Sequence, residues 1–325
     1  MTHQNTLLDR LNGTSGSAIQ QGILLMIVGT SIVPVMDAIA KQLGESLSPL
    51  LITWGRFFFQ CLIMGAYLLI IKGPASLRPK LPWIHCARGL LLAFATLCFF
   101  WSLQHLPLAD AIAIFFIEPM VLTLLSAYFL KESIGWHRRL AVIAGFVGAL
   151  FIIRPTGDSF TPYAFLPVAA AFFFAGYMTL TRAYANVDHP ATMQFASGLG
   201  AALVLSLILL LFMAFPHHPF APQIPTLYEW SGLLGIGVIA ALGHVLVVMA
   251  VNRAPASVLA PFGYVEIIAA TLLGWLFFND WPDLYSWIGI GIIVSSGCYV
   301  FYRERMVALN QTGHVGGNRD NLERQ

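Results

Sequence analysis

Charge is scarce in this chain. Asp, Glu, Lys and Arg make up only 10% of its 325 residues, against about a quarter in ordinary soluble domains. With 58% of the residues hydrophobic, a water-soluble fold would lack the polar surface it needs, and the chain reads as a membrane protein. Cysteine is scarce too. Cys61, Cys86, Cys98 and Cys298 all fall inside apolar runs, without paired or metal-type spacing, so no disulfide framework or zinc site is expected. The net charge of +2 is too small to indicate a nucleic-acid partner. There is no P-loop, His-Glu-x-x-His helix, Asp-rich metal motif or Ser/His/Asp set, so no cofactor, no direct use of ATP and no enzyme activity are expected. A membrane-embedded enzyme without a recognisable motif is the alternative.

Hydrophobic runs, by contrast, fill the chain. A bilayer core needs about 20 apolar residues per helix, and ten runs meet that need: 19–40, 49–71, 83–104, 108–130, 136–153, 162–182, 191–214, 227–251, 256–278 and 285–302. Short joints rich in Pro, Gly or charge separate them, among them KGPASLRPK at 72–80, PHHPFAPQIP at 216–225 and NDWPD at 279–283. The first run lacks a small-residue cleavage site and reads as a retained span.

Cytoplasmic loops hold the excess of Lys and Arg. With ten spans, thirteen of the 17 basic residues share one side with both tails, Lys41 and Arg154 lie on the other, and Arg56 and Arg88 fall within spans. Both termini are therefore expected in the cytoplasm, which argues against glycosylation of the sequons at Asn12 and Asn310. The expected location is the cytoplasmic (inner) membrane. The layout is a tail at 1–18, five helices within 19–155, five more within 156–303, and a tail at 304–325.

A shift of 148 residues lays Pro107 on Pro255, Glu118 on Glu266, Thr123-Leu124-Leu125 on Thr271-Leu272-Leu273, Phe129 on Phe277 and Glu132 on Asp280. Five spans per copy is an odd number, so the second copy must enter the membrane inverted. Inverted repeats in transporters place the solute site near the midplane between the copies, where Glu118 and Glu266 both fall.

Ten short-looped spans in two copies, with HLPLADAIAIFFIEPMVLTLLSAYFLKES followed by GFVGALFIIRP, resemble the EamA branch of the drug/metabolite transporter superfamily. The resemblance covers roughly residues 20 to 303. It implies an all-α membrane protein with ten helices around a central cavity, and secondary transport of a small metabolite. Members carry amino acids, nucleosides, vitamins, S-adenosylmethionine or metal chelators, so the solute stays open. A glutamate directly before the proline of span four is not a general feature of the family.

A charge at mid-bilayer normally faces a cavity or a partner. Glu118 and Glu266 are therefore candidates for binding a cationic group or exchanging a proton, with packing roles as the alternative. Arg56 is a candidate for pairing with an acid or a solute carboxylate, with snorkelling to the interface as the alternative, and His244 for proton relay, although a lone histidine on an apolar helix is more often a packing residue. Arg88 is expected to snorkel, Asp37 to pair with Lys41 four residues on, and Asp110 to cap or hydrate its helix. Phe94, Trp101, Tyr177 and Tyr264 are candidate cavity-lining rings for a flat or cationic solute. Pro119 frees the carbonyl of Phe115 and Pro261 that of Ser257; with Pro34 and Pro167 they are hinge candidates. Gly145, Gly148, Gly289, Gly291 and Gly297 allow close helix approach, either within the bundle or in a homodimer. Expected partners are a small solute, membrane lipid and protons.

Overall fold

The computed structural model describes residues 16–129, 135–155, 160–184, 187–254, 256–300 and 302–303. Asn12, Asn310, Arg10, Lys131, Glu132, Pro255 and the basic residues beyond Arg303 lie outside them, as does the side chain of Arg138. Backbone polar groups in a bilayer must be satisfied within the protein, and the described residues form helices and turns with no strand.

In chain order the helices are α1 (Gly16–Leu43), α2 (Pro49–Tyr67, continued by a π turn over Leu68–Lys72), α3 (Pro82–Leu103), α4 (Leu108–Phe115), α5 (Glu118–Phe129), α6 (Trp136–Ile153), α7 (Phe165–Ala183), α8 (Pro190–Phe212), α9 (Leu227–Val251), α10 (Ala256–Gly263), α11 (Val265–Phe278) and α12 (Leu284–Val300). Among the described residues eight stretches are long and apolar enough to cross a membrane. Two further apolar helices, Arg139–Ile153 and Leu284–Val300, are shorter. The chain is a multi-pass membrane protein.

The fourth and ninth runs are broken near their middles. α4 gives way to α5 through a turn at Phe116 and Ile117, and α10 to α11 at Tyr264. These positions are equivalent under the 148-residue shift, but the prolines are not. Pro119 lies just after the first break, in the opening turn of α5, where a missing N–H costs nothing. Pro261 lies before the second, inside α10. Pro167 is the third residue of α7, which directly continues the 3-10 turn Pro162–Ala164. Pro34 is interior to α1 and buried; Pro261 is exposed on the bundle's outside.

α1 runs against α9, and α3 packs between α7 and α8. Small residues set these distances: a methyl on Gly22 would lie 2.9 Å from Ala254 Cβ, and one on Gly200 would lie 3.1 Å from Cys86 Cα. The glycine question raised by the sequence resolves residue by residue. Gly148 and Gly289 let α6 and α12 cross, since a methyl on Gly289 would come 2.6 Å from the Gly148 carbonyl. Gly145 faces Met120 and Gly297 faces Tyr264. Gly291 meets open space and lines a lateral groove of about 630 Å³ between α6 and α12.

The two halves of the broken helices differ. α4 packs along α11, with Leu108 Cβ 3.7 Å from where a methyl on Gly274 would be, whereas α5 and α10 make no comparable contact among the described residues. The face bearing the α1–α2 turn is closed by polar ties. Lys41 Nζ lies 2.6 Å from Asp280 Oδ2, donates to the Leu106 carbonyl at 2.8 Å and sits 5.0 Å from the Phe278 ring centroid. Gln223 Oε1 accepts from the Ser48 amide, and Ser46 donates to Glu229, which closes the capping box of α9. Arg154 pairs with Asp283 on the same face. Burial pushes the Asp283 carboxyl up, but the Ser286 amide and Arg154 together hold it below the usual carboxylate range. The expected Asp37–Lys41 pair is therefore not made: lysine at the helix end reaches across the repeat boundary for an acid nearer water, and Asp37 turns inward, 2% exposed.

Candidate functional site

Phe116 and Tyr264 occupy the two breaks, and their ring centroids lie 5.0 Å apart. Residues related by the internal shift thus touch each other, which puts the pseudo-twofold axis between them. Tyr264 is 7% exposed, rests on the bare backbone of Gly297, and its hydroxyl has no hydrogen-bond partner. Two residues beyond each break stand Glu118 and Glu266, in the first turns of α5 and α11. Helix N-termini carry unpaired N–H groups and a partial positive charge that favours a carboxylate. A glutamate beside a proline in an apolar run is thus the start of the second half of a broken helix, an arrangement known from discontinuous transporter helices.

Neither glutamate accepts a hydrogen bond from a described residue, and Glu118 Oε1 is fully buried without a partner. Glu118 is within electrostatic reach of Tyr264 and Arg182, and Glu266 of Asp37. Buried polar groups are almost always hydrogen-bonded. These acids therefore have acceptor capacity that no described residue uses and that a solute, water or a bound proton would take up.

Asp37 on α1 and Arg56 on α2 form a second polar layer. They couple electrostatically without forming an ion pair among the described residues. Arg56 Nη1 donates to Thr96 on α3, its guanidinium lies 5.3 Å from the Phe57 ring, and Nε is buried without an acceptor. Gln60, one turn further along α2, also leaves its Oε1 buried and unpaired.

Arg88 does not snorkel. It is 2% exposed and donates to Thr181 at 3.0 Å, His85 Nδ1 at 3.1 Å, Ser197 at 3.2 Å and Tyr177 at 3.4 Å. His85, fully buried, reaches Asp188 at 3.0 Å. With Asp188 as counter-charge, the cation has more to gain inside than a lipid interface offers. This satisfied network clamps α3, α7 and α8 and takes Tyr177 into it. His244 is half-buried on α9, with no hydrogen bond among the described residues but in reach of Arg88 and Arg56. Phe94 is 42% exposed and lines a lateral apolar pocket of about 190 Å³ with Leu90, Val204 and Phe212, away from the axis. Trp101 packs edge-on to Tyr163 and Phe220. Asp110 lies in the first turn of α4, but that helix has no side-chain capping hydrogen bond, and Asp110 Oδ1 is buried and unpaired.

Of the sequence candidates, the structure brings Glu118 and Tyr264 together at the axis, couples Glu266 to the layer holding Arg56, and sets Phe94 and Trp101 apart. The sequence reading missed Asp37, Gln60 and Thr96 as members of the site. For Asp37 a signal existed, a carboxylate after the proline of span one, but the nearby lysine offered a local partner. Gln60 and Thr96 carry no pattern that separates them from other small polar residues in membrane helices.

Comparison with known proteins finds similar chains among named transporters. An S-adenosylmethionine uptake transporter of Rickettsia bellii is 28% identical over 282 residues, covering 87% of this chain and 92% of its own length. A riboflavin transporter of Brucella anthropi is 29% identical, covering 75% and 84%, and a pseudopaline exporter of Pseudomonas aeruginosa is 29% identical, covering 88% and 98%. A crystal structure shares the fold at a TM-score of 0.60 and 20% identity, covering 90% of this chain and 99% of its own. Residues 20–154 and 161–302 each match the EamA-like transporter family, and the chain belongs to that family.

Proposed function

We propose that this protein is a secondary transporter of a small metabolite, with an amino-acid-derived, cationic or heterocyclic solute, working by alternating access in the cytoplasmic membrane. Ten spans form two inverted five-helix repeats, 19–155 and 156–303, with both tails cytoplasmic and the Lys41–Asp280 face external. The described conformation is then closed outside, and the separation of α5 from α10 opens it towards the cytoplasm. Exchanging the conformations of the two repeats would generate the opposite state.

The observation that carries this reading is the pair of donor-less glutamates at equivalent helix breaks that meet at the axis. Such acids suit a site that is emptied and refilled, because a permanent structural role would leave them bonded. One of them, with Glu118 the first choice, exchanges a proton and couples solute movement to the pH gradient. The named relatives carry solutes of this size range in both directions.

The test is flux in proteoliposomes, for uptake and efflux, with labelled S-adenosylmethionine, riboflavin, amino acids and their conjugates, with and without a pH gradient. Wild type should move at least one solute. In Glu118→Gln that flux should lose its response to the gradient. Unchanged, gradient-driven flux in the variant would remove Glu118 from the mechanism.

A further inference from the structure

Asp37 and Arg56 pose a problem that the axis glutamates do not. Opposite charges buried within Coulombic reach ordinarily close into a hydrogen-bonded pair, since the interior screens them weakly. Here they stay apart. Arg56 spends Nη1 on Thr96, while the edge formed by Nε and Nη2, the edge that grips a carboxylate with two parallel hydrogen bonds, has no acceptor among the described residues. Asp37 is 2% exposed and receives no donor there. Gln60 Oε1, a further acceptor, is buried and unpaired one turn from Arg56. The layer thus offers an unused bidentate donor edge on Arg56 of α2, an unused acceptor on Asp37 of α1 and a further one on Gln60, which shares α2 with Arg56.

We propose that this gap binds the zwitterionic head of an α-amino acid moiety, its carboxylate on the Nε–Nη2 edge of Arg56 and its ammonium on Asp37. The assignment rests on the transport reading and narrows its solute class. A simple anion would satisfy Arg56 but be repelled by Asp37, and a simple cation would meet the reverse. A zwitterion serves both and adds no net charge to the low-dielectric interior, so the loaded site can be carried between faces without a new desolvation cost. Glu266, in electrostatic reach of Asp37, adds negative charge on the ammonium side, and Glu118 remains available for proton exchange or the solute's remaining portion.

The test uses the full-length protein in detergent and in proteoliposomes. Thermal stabilisation and flux competition are measured with the proteinogenic L-amino acids and their adenosyl and carboxyalkyl conjugates. For each active compound, the amine lacking the carboxylate and the acid lacking the amine are compared with it. Sites built to hydrogen-bond a group reject analogues lacking it strongly, so wild type should prefer the parent over both by about 100-fold or more. Asp37→Asn should lose the preference over the des-amino acid, Arg56→Gln the preference over the amine, and Arg56→Lys should keep part of it. Each comparison is made between ligands within one variant, so a loss of folded protein does not imitate the effect. Analogues that bind wild type as well as the parent would overturn the assignment. So would flux of riboflavin with no response to any compound bearing the head, which would leave the transport reading intact. Wild type that moves no solute at all would sink the transport reading itself.

Discussion

A carboxylate inside a bilayer persists by taking a proton, finding a cation, or facing water. The residues of this chain divide along that line. Arg88, His85 and Asp188 are tied to one another inside the protein, and four of the five N–H donors of Arg88 are taken up by neighbouring side chains. Arg88→Met should therefore lower the apparent unfolding temperature of the purified protein by several degrees, since each buried acceptor left unpaired costs about 1–3 kcal/mol. The pH dependence of flux should stay that of wild type, and a changed pH profile would move Arg88 into the transport site. Tyr264 behaves oppositely, because its position depends on the bare backbone of Gly297. Gly297→Ala forces the ring off the axis, an overpacking of about 1–3 kcal/mol. Its flux should fall sharply, and the added Tyr264→Ala should restore stability but not transport. Full activity in Gly297→Ala would show that the ring's place on the axis is unimportant.

Among elements, the broken helices matter most. The breaks coincide under the repeat although Pro119 follows one and Pro261 precedes the other. Hence the break is set by the crossing of Phe116 with Tyr264 and by the half-helix starts, and proline only tolerates or sharpens it. Pro119 sits where its missing N–H is harmless, so Pro119→Ala should keep flux within about twofold of wild type and change the unfolding temperature little. Loss of transport in Pro119→Ala comparable to that in Glu118→Gln would instead make the proline a hinge.

For the whole molecule, the proposed alternating access makes the balance between two conformations the relevant quantity. Lys41–Asp280 joins the end of α1 to the end of α11, so it holds only the conformation in which that face is closed. Its side chains are 16% and 27% exposed, and a partly exposed pair contributes at most about 1 kcal/mol. That still shifts a two-state ratio about fivefold. With Gln60→Cys as reporter in a background lacking the four native cysteines, Lys41→Met and Asp280→Asn should each speed labelling by a membrane-impermeant thiol reagent added outside. No change in either would mean that the pair does not bias the equilibrium. The Arg154–Asp283 tie beside it should not respond near neutral pH. With the folded carboxyl held below its unfolded value, its contribution is full above that value and is lost only as pH falls through the acid range.

Membrane residence, the helical runs and the repeat were legible from sequence alone, because a bilayer forces long apolar segments and repeated copies keep a fixed spacing. Glu118 and Glu266 stood out for the same reason: charge in an apolar run is rare enough to be noticed without a structure. What tertiary structure decided was which charges are satisfied. Asp37 and Lys41 are one helical turn apart and looked like a local pair, as Arg88 near a span's end looked like a snorkelling cation. Those readings used only neighbours along the chain. Lys41 found Asp280 and Arg88 found His85 and Thr181 across the bundle, since a buried charge is governed by distance in space and by the scarcity of other partners in a low-dielectric interior.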